Sequence, residues 1–249
     1  MIKINIENPK EWTVWFDLDD TLWDFSFNSH ETLIEVHEKF DLKRFWKLYE
    51  DWIHDYHLVN NPLWERLADG EITESQLRFD RFFDTFRNGG MDISEAKVSA
   101  SCADKYYLSH LAKRKVLVNG AKELLVELRE RGFKIGVLSN GFTDVQYDKL
   151  ESGGIHNLID FVVLSGTVGV CKPDPLIYRY AEQTAGTTAD RCIMIGDNCD
   201  TDIVGALNAQ WPLAIWLNRK GLKAGPKLST AISLGSTLSV VSELWEISL

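Results

Sequence analysis

Asp17 and Asp19 stand at the end of the apolar run Val14-Trp15-Phe16, in the order Asp17-Leu18-Asp19-Asp20-Thr21. In extended chain, residues two apart point to the same side, so both carboxylates can face one ligand while Leu18 packs away from it. Two carboxylates in a small site repel, which invites a bound cation or a raised pKa on one of them. Later apolar runs end in groups of matching chemistry. Ser139-Asn140-Gly141 offers a hydroxyl and backbone N–H groups for an oxyanion, Asp197 follows another run, and Lys172 supplies an ammonium to balance charge. Taken singly, each has a structural reading: Ser139 as a helix N-cap, Lys172 as a solvated loop cation, Asp202 as a cap for the helix holding Ile203. His54 and His57, three apart, lack a third ligand in view and read as surface or packing residues.

The elements that must position these groups follow from periodicity. Residues near 12–17, Phe133 to Leu138, Phe161 to Leu164, Cys192 to Ile195 and Leu213 to Leu217 read as buried strands. Between them lie helical faces: Ala121, Leu124, Leu125 and Leu128 stopped at Gly132; Ile177, Tyr178, Ala181 and Ala185 after Asp174-Pro175; and Ile203, Ala206 and Leu207. Repeated βα units predict an α/β fold with a doubly wound parallel sheet and right-handed crossovers. Ligands of such sheets sit beyond the carboxyl ends of the strands, so the clusters above should meet at one edge.

Residues 24 to about 114 carry almost no strand signal. Leu33, Val36, His37 and Phe40, then Phe45, Tyr49, Trp52, Ile53 and Tyr56, then Phe79, Phe82, Phe83 and Phe86 form helical stripes. Asn61-Pro62 suits a helix start, Gly70 a stop, Thr73 to Gln76 a capping box and Asn88-Gly89-Gly90 a break. The expected organisation is a core of residues 1–22 and 115–249 with a helical domain, 23–114, inserted after the first strand. The Gly221 to Gly235 stretch reads as a mobile loop before a final strand or helix.

Composition narrows the partners. Lys and Arg number 27 against 37 Asp and Glu, a formal charge of −10 that repels nucleic acid and anionic membrane. The N-terminus shows no cleavable apolar segment and no run approaches a membrane span, so a cytoplasmic protein is expected. Cys102, Cys171, Cys192 and Cys199 lack spacing for zinc or a disulfide framework and are read as reduced thiols.

With these residues in view, the sequence resembles the haloacid dehalogenase-like (HAD) superfamily of phosphatases. Asp17-Leu18-Asp19-Asp20-Thr21 looks like its first motif, Ser139 its second, Lys172 in Cys171-Lys172-Pro173-Asp174-Pro175 its third, and Gly196-Asp197 with Asp202 its fourth. The resemblance implies a Rossmann-like core, an inserted helical C1 cap and Mg²⁺ as cofactor. It implies Asp17 as nucleophile forming an aspartyl-phosphate, and Asp19 as acid and base. Metal ligands would be Asp17, the backbone carbonyl of Asp19, and Asp197. Ser139, Asn140, Gly141 and Lys172 would bind phosphate, with Thr21 and Asp202 supporting the site from behind. Asn61-Pro62-Leu63-Trp64, Asn140-Gly141-Phe142-Thr143, Val168 to Pro173 and Ile215-Trp216-Leu217-Asn218 are similar to segments of the house-cleaning pyrimidine 5′-nucleotidases of that superfamily.

The implied partner is a small phosphorylated metabolite, a nucleotide foremost, acted on by a monomer or homodimer. Trp23, Phe27, Asn61 and Trp64 are the candidates for contacting it, although packing within the cap is the better reading of each aromatic. A dehalogenase resembles the chain except at Asp19, which that class lacks. A phosphatase or mutase for a sugar phosphate or phosphoglycolate uses the same residues. A phospho-receiver module shares the acidic pocket but has no use for Asp19 or a helical insertion.

Overall fold

Apolar segments rich in Val, Ile, Leu and aromatic residues become the strands of one parallel sheet, as segments buried on both faces should. The computed structural model describes residues 4–222, 232–234, 238 and 245–246. The strands are β1 Thr13–Phe16, β2 Lys134–Ser139, β3 Phe161–Leu164, β4 Cys192–Gly196, β5 Leu213–Leu217 and β6 Ile232–Leu234. Their spatial order is β3-β2-β1-β4-β5-β6, all neighbours parallel. That is a doubly wound sheet, and the order reverses between β1 and β4, where ligands of such sheets bind. Every residue of β1 is buried. Phe16 lies opposite Val137 on one side and Ile195 on the other, so Asp17, Ser139 and Asp197 leave the sheet at neighbouring levels.

The helices are α1 Phe25–Lys39, α2 Tyr49–Ala68, α3 Glu74–Asn88, α4 Ile93–Leu111, α5 Ala121–Glu130, α6 Thr143–Ser152, the single turn α7 Ser165–Val168, and α8 Pro175–Ala185. The faces expected of α5 and α8 are the buried ones. The face expected at Ile203 is shorter and wider: Cys199–Val204 forms a π-helical turn that runs into Gly205–Asn208. Part of the predicted Gly221 to Gly235 loop, residues 223–231 and 235, lies outside the described residues, while 232–234 form β6. Ile4–Asn5 pairs in parallel with Trp245–Glu246.

The chain divides into two compact units, residues 1–25 with 115–249, and residues 26–114. In the first, Trp15, Met194, Tyr178, Trp211 and Trp216 form a large part of one core beside the sheet. In the second, Trp52 stacks on Phe86 at 5.7 Å and Tyr56 meets Phe82 at 5.2 Å, around a buried Arg81–Asp104 ion pair. Thr73 and Gln76 form the expected capping box of α3. Two readings need correction. Phe45 precedes α2 rather than joining its stripe, and Asn61-Pro62 lies inside α2 instead of starting a helix. Proline there removes the bond to the carbonyl of Leu58, and both residues are exposed, where water can take that bond. No helix among the described residues is long and apolar enough to cross a membrane, and all four cysteines are free.

Candidate active site

The site is built where β1 and β4 end. Asp17 donates its backbone N–H to the Ile195 carbonyl at 2.9 Å, which ties the first residue beyond β1 to the neighbouring strand. The residue is 8% exposed. Asp17, Asp197 and Asp202 each bring a carboxylate oxygen within 4.8 Å of the others. Lys172 enters this cluster, donating from Nζ to Asp17 Oδ1 at 2.7 Å and to Asp202 Oδ1 at 2.6 Å. At 2% exposure it is no solvated loop cation.

The supports of this cluster are specific. Asp202 Oδ2 accepts the Asn198 backbone N–H at 3.0 Å, so both its oxygens are committed, and helix capping falls instead to Asn198, whose side chain accepts from Asp200 and Thr201. Gly196 makes room for it: a Cβ there would stand 2.3 Å from Asp202 Oδ2. Trp216 Nε1 donates to the Asp197 carbonyl at 2.8 Å. Asn140 exchanges two bonds with the backbone of Lys172, donating to its carbonyl at 3.0 Å and accepting its N–H at 2.8 Å. The Asn140 side chain is thereby used to hold the Lys172 loop, and its backbone N–H is the group left for the expected phosphate contact.

A second group of residues gathers around Asp19. Its carboxylate accepts from Lys149, which the sequence reading missed, at 2.7 and 2.9 Å. Ser139 Oγ accepts from Gly141 N–H at 3.2 Å and from Gln146 Nε2 at 2.7 Å, so it acts within its loop and not as the cap of α6. Thr21 is fully buried. Trp23 is also fully buried, with Lys149 Nζ 4.9 Å from its ring, which removes it from the candidates for stacking on a ligand. Phe27, half exposed, exposed Asn61 and half-buried Trp64 belong to the other unit. His54 and His57 join no metal-ligating group of three among the described residues.

Electrostatics follow from this packing. Burial pushes the Asp17 carboxyl up to about 7, with Lys172 opposing and Asp202 and Asp19 adding to the shift. Burial and repulsion from Asp17 and Asp202 push Asp197 up to about 8. Burial by itself would depress the Lys172 ammonium, but Asp17 and Asp202 more than reverse this and its pKa is raised. One ammonium therefore leaves surplus negative charge among carboxylate oxygens, a donor set that fits a hard divalent cation.

Comparison with known proteins decides the family. A description of the haloacid dehalogenase-like hydrolases matches residues 13–210, a span that includes every residue of the acidic cluster. The chain belongs to that family. It is 32% identical over 206 residues to the pyrimidine 5′-nucleotidase YjjG of Escherichia coli, covering 82% of this chain and 85% of the relative. It is 29% identical over 218 residues to the human N-acylneuraminate-9-phosphatase, covering 86% of each. The magnesium-bound HAD-hydrolase YfnB of Bacillus subtilis shares the fold with a TM-score of 0.81 at 22% identity, over 94% of this chain and 98% of that one. Within the HAD fold, the doubly wound sheet is what brings residues from four distant parts of the sequence to one edge.

Proposed function

We propose that this HAD hydrolase is a Mg²⁺-dependent phosphomonoesterase that works through an aspartyl-phosphate at Asp17, with nucleoside 5′-monophosphates, pyrimidine ones foremost, as substrates. The observation that supports the chemistry best is the Asp17 carboxylate at the switch point of the sheet, held at one oxygen by Lys172 and set beside Asp197. Asp17, Asp197 and the backbone carbonyl of Asp19 would hold Mg²⁺, whose charge offsets the repulsion between a phosphate and a carboxylate. Asp17 attacks phosphorus as the bond to the leaving oxygen breaks. Asp19 gives that oxygen a proton, then takes one from the water whose oxygen bonds phosphorus as the bond to Asp17 breaks. Ser139 and its neighbouring N–H groups bind phosphoryl oxygens, and Lys172 balances charge on Asp17 and the transferring group. Residues 26–114 serve as the cap that selects the leaving group.

The raised carboxyls give this reading a pH test. In the metal-free fold Asp17 and Asp197 keep protons up to about 7 and about 8, whereas unfolded aspartates lose theirs near 3.9. Their contribution to stability is therefore full in acid and is lost as pH rises through those values. Mg²⁺ needs both deprotonated, so a fixed Mg²⁺ concentration should raise Tm more at about pH 8.5 than at about pH 6. Thermal melts with and without Mg²⁺ check this; equal shifts at the two pH values would contradict it.

For the substrate, similarity to the E. coli nucleotidase supports a base, and similarity to the human enzyme supports a second reading as a sugar-phosphate phosphatase. A phosphate-release comparison of pyrimidine monophosphates, hexose phosphates, phosphoglycolate and N-acylneuraminate 9-phosphate separates the two. The nucleotides should show the highest kcat/KM; a higher value for any sugar phosphate would favour the second reading. Stacking on Trp64 is worth ~1–3 kcal/mol, so Trp64→Ala should cost pyrimidine monophosphates roughly tenfold or more in kcat/KM. Hydrolysis of p-nitrophenyl phosphate should change less, and an equal loss on both substrates would remove Trp64 from the recognition of the base.

A further inference from the structure

Asp19 is held by two residues of one helical face. Lys149 Nζ donates to Asp19 Oδ1 at 2.7 Å and Oδ2 at 2.9 Å, and Gln146 Nε2 donates to Oδ2 at 3.1 Å. Gln146 and Lys149 are three apart on α6, so they stand side by side. Both are buried, Lys149 at 3% exposure. A buried ammonium is costly unless its charge is met, and Asp19 meets it together with the ring faces of Trp23, at 4.9 Å, and Phe25, at 5.2 Å. The same Gln146 nitrogen reaches Ser139 Oγ at 2.7 Å. It is fitted closely into the loop: a Cβ on Gly141 would stand 2.3 Å from it. The amide thus joins the residue proposed for acid–base work to the hydroxyl proposed for phosphate.

We propose that Lys149, with Gln146, is a positioning residue that fixes the orientation of the Asp19 carboxyl for both proton transfers. The inference rests on the phosphomonoesterase reading. Oδ2 accepts two of these bonds and Oδ1 one, so both oxygens are held and Oδ1 keeps the greater acceptor capacity; in the proposed cycle the carboxyl delivers one proton. That proton passes to the leaving oxygen as its bond to phosphorus breaks. It is replaced by one from water as the water oxygen bonds phosphorus and Asp17 departs. A carboxyl that swings freely would meet neither oxygen reliably, although Asp17 could still attack a substrate whose leaving group needs no proton.

The test compares Lys149→Met and Lys149→Arg with wild type on an alkyl phosphate, such as a nucleoside 5′-monophosphate, and on p-nitrophenyl phosphate. Lys149→Met should lower kcat on the alkyl ester by roughly 10–100-fold, part of the full acid–base contribution, with KM changed by less than about threefold. On p-nitrophenyl phosphate it should give a rapid burst of nitrophenol followed by slow turnover, because the first step is spared and hydrolysis of the intermediate is not. Lys149→Arg should recover part of the loss, and Lys149→Met should cost little more when added to Asp19→Asn. A uniform loss on both esters with a raised KM, an undiminished penalty in the Asp19→Asn background, or wild-type rates would overturn the proposal. If Lys149→Met fails to fold by circular dichroism, Gln146→Leu is held to the same pattern of burst and coupling to Asp19. A wild-type protein that releases phosphate from neither ester would overturn the phosphomonoesterase reading itself, an outcome distinct from any of these.

Discussion

Asp17→Asn should abolish turnover, lowering kcat by about 10⁴-fold or more, because an amide supplies no nucleophilic oxygen for phosphorus. The loss should not be accompanied by unfolding. Asp17 is a buried carboxyl whose pKa is raised to about 7, so in the metal-free protein its charged form opposes folding at neutral pH. Removing that charge relieves the repulsion with Asp202 and Asp19, and Lys172 keeps Asp202 as a partner. The expected outcome is an inactive protein whose metal-free Tm at about pH 8 equals or exceeds that of wild type. Steady-state assays and thermal melts on one preparation check both halves. Retention of wild-type activity would rule out Asp17 as nucleophile.

The second large effect is on stability. Lys172→Met leaves Asp17 and Asp202 buried without the ammonium that joins them, and breaking a buried pair by removing one partner costs about 3–5 kcal/mol. Chemical denaturation at about pH 8 should show a loss of that size, narrowing at about pH 6, where Asp17 can take up a proton and shed its charge. Asp202→Asn in the Lys172→Met background should return part of the stability, because it removes one of the two stranded charges. Activity should fall too, by roughly 10²–10³-fold, through loss of charge balance at the transferring group. An unchanged denaturation midpoint at both pH values would mean that Lys172 does not neutralise the cluster.

The edge of the sheet was legible because strands buried on both faces are near-continuous apolar runs, and their abrupt ends at Asp17, Ser139 and Asp197 mark where the chain leaves the core. The partners of those residues were less legible. Lys172 and Asp17 are 155 positions apart, and nothing local to either fixes their contact. Asp202 could be placed behind the site but read equally well as a cap, since an aspartate before a helical face serves both purposes. Lys149 and Gln146 did leave a local sign. In α6 the buried positions are Val145, Gln146, Lys149 and Leu150, so two polar residues occupy the inward stripe of a helix whose other polar residues are exposed or half-buried. A polar pair on an inward stripe must find partners, and that pattern would have pointed to the loop beneath. Pro62 misled for the opposite reason: the rule that proline starts helices is local, and the packing of Trp52, Ile53, Tyr56 and Leu63 carries α2 through it.

The central claim is that phosphate passes through Asp17. Acid quenching during turnover of a phosphomonoester in Mg²⁺, followed by borohydride reduction and peptide mass spectrometry, reads this directly, because reduction converts an aspartyl-phosphate to homoserine. The account predicts homoserine at position 17 in wild type, and more of it in Asp19→Asn with an activated ester, whose intermediate is hydrolysed slowly. Rapid phosphate release from that ester with no homoserine at position 17 in either protein would contradict it.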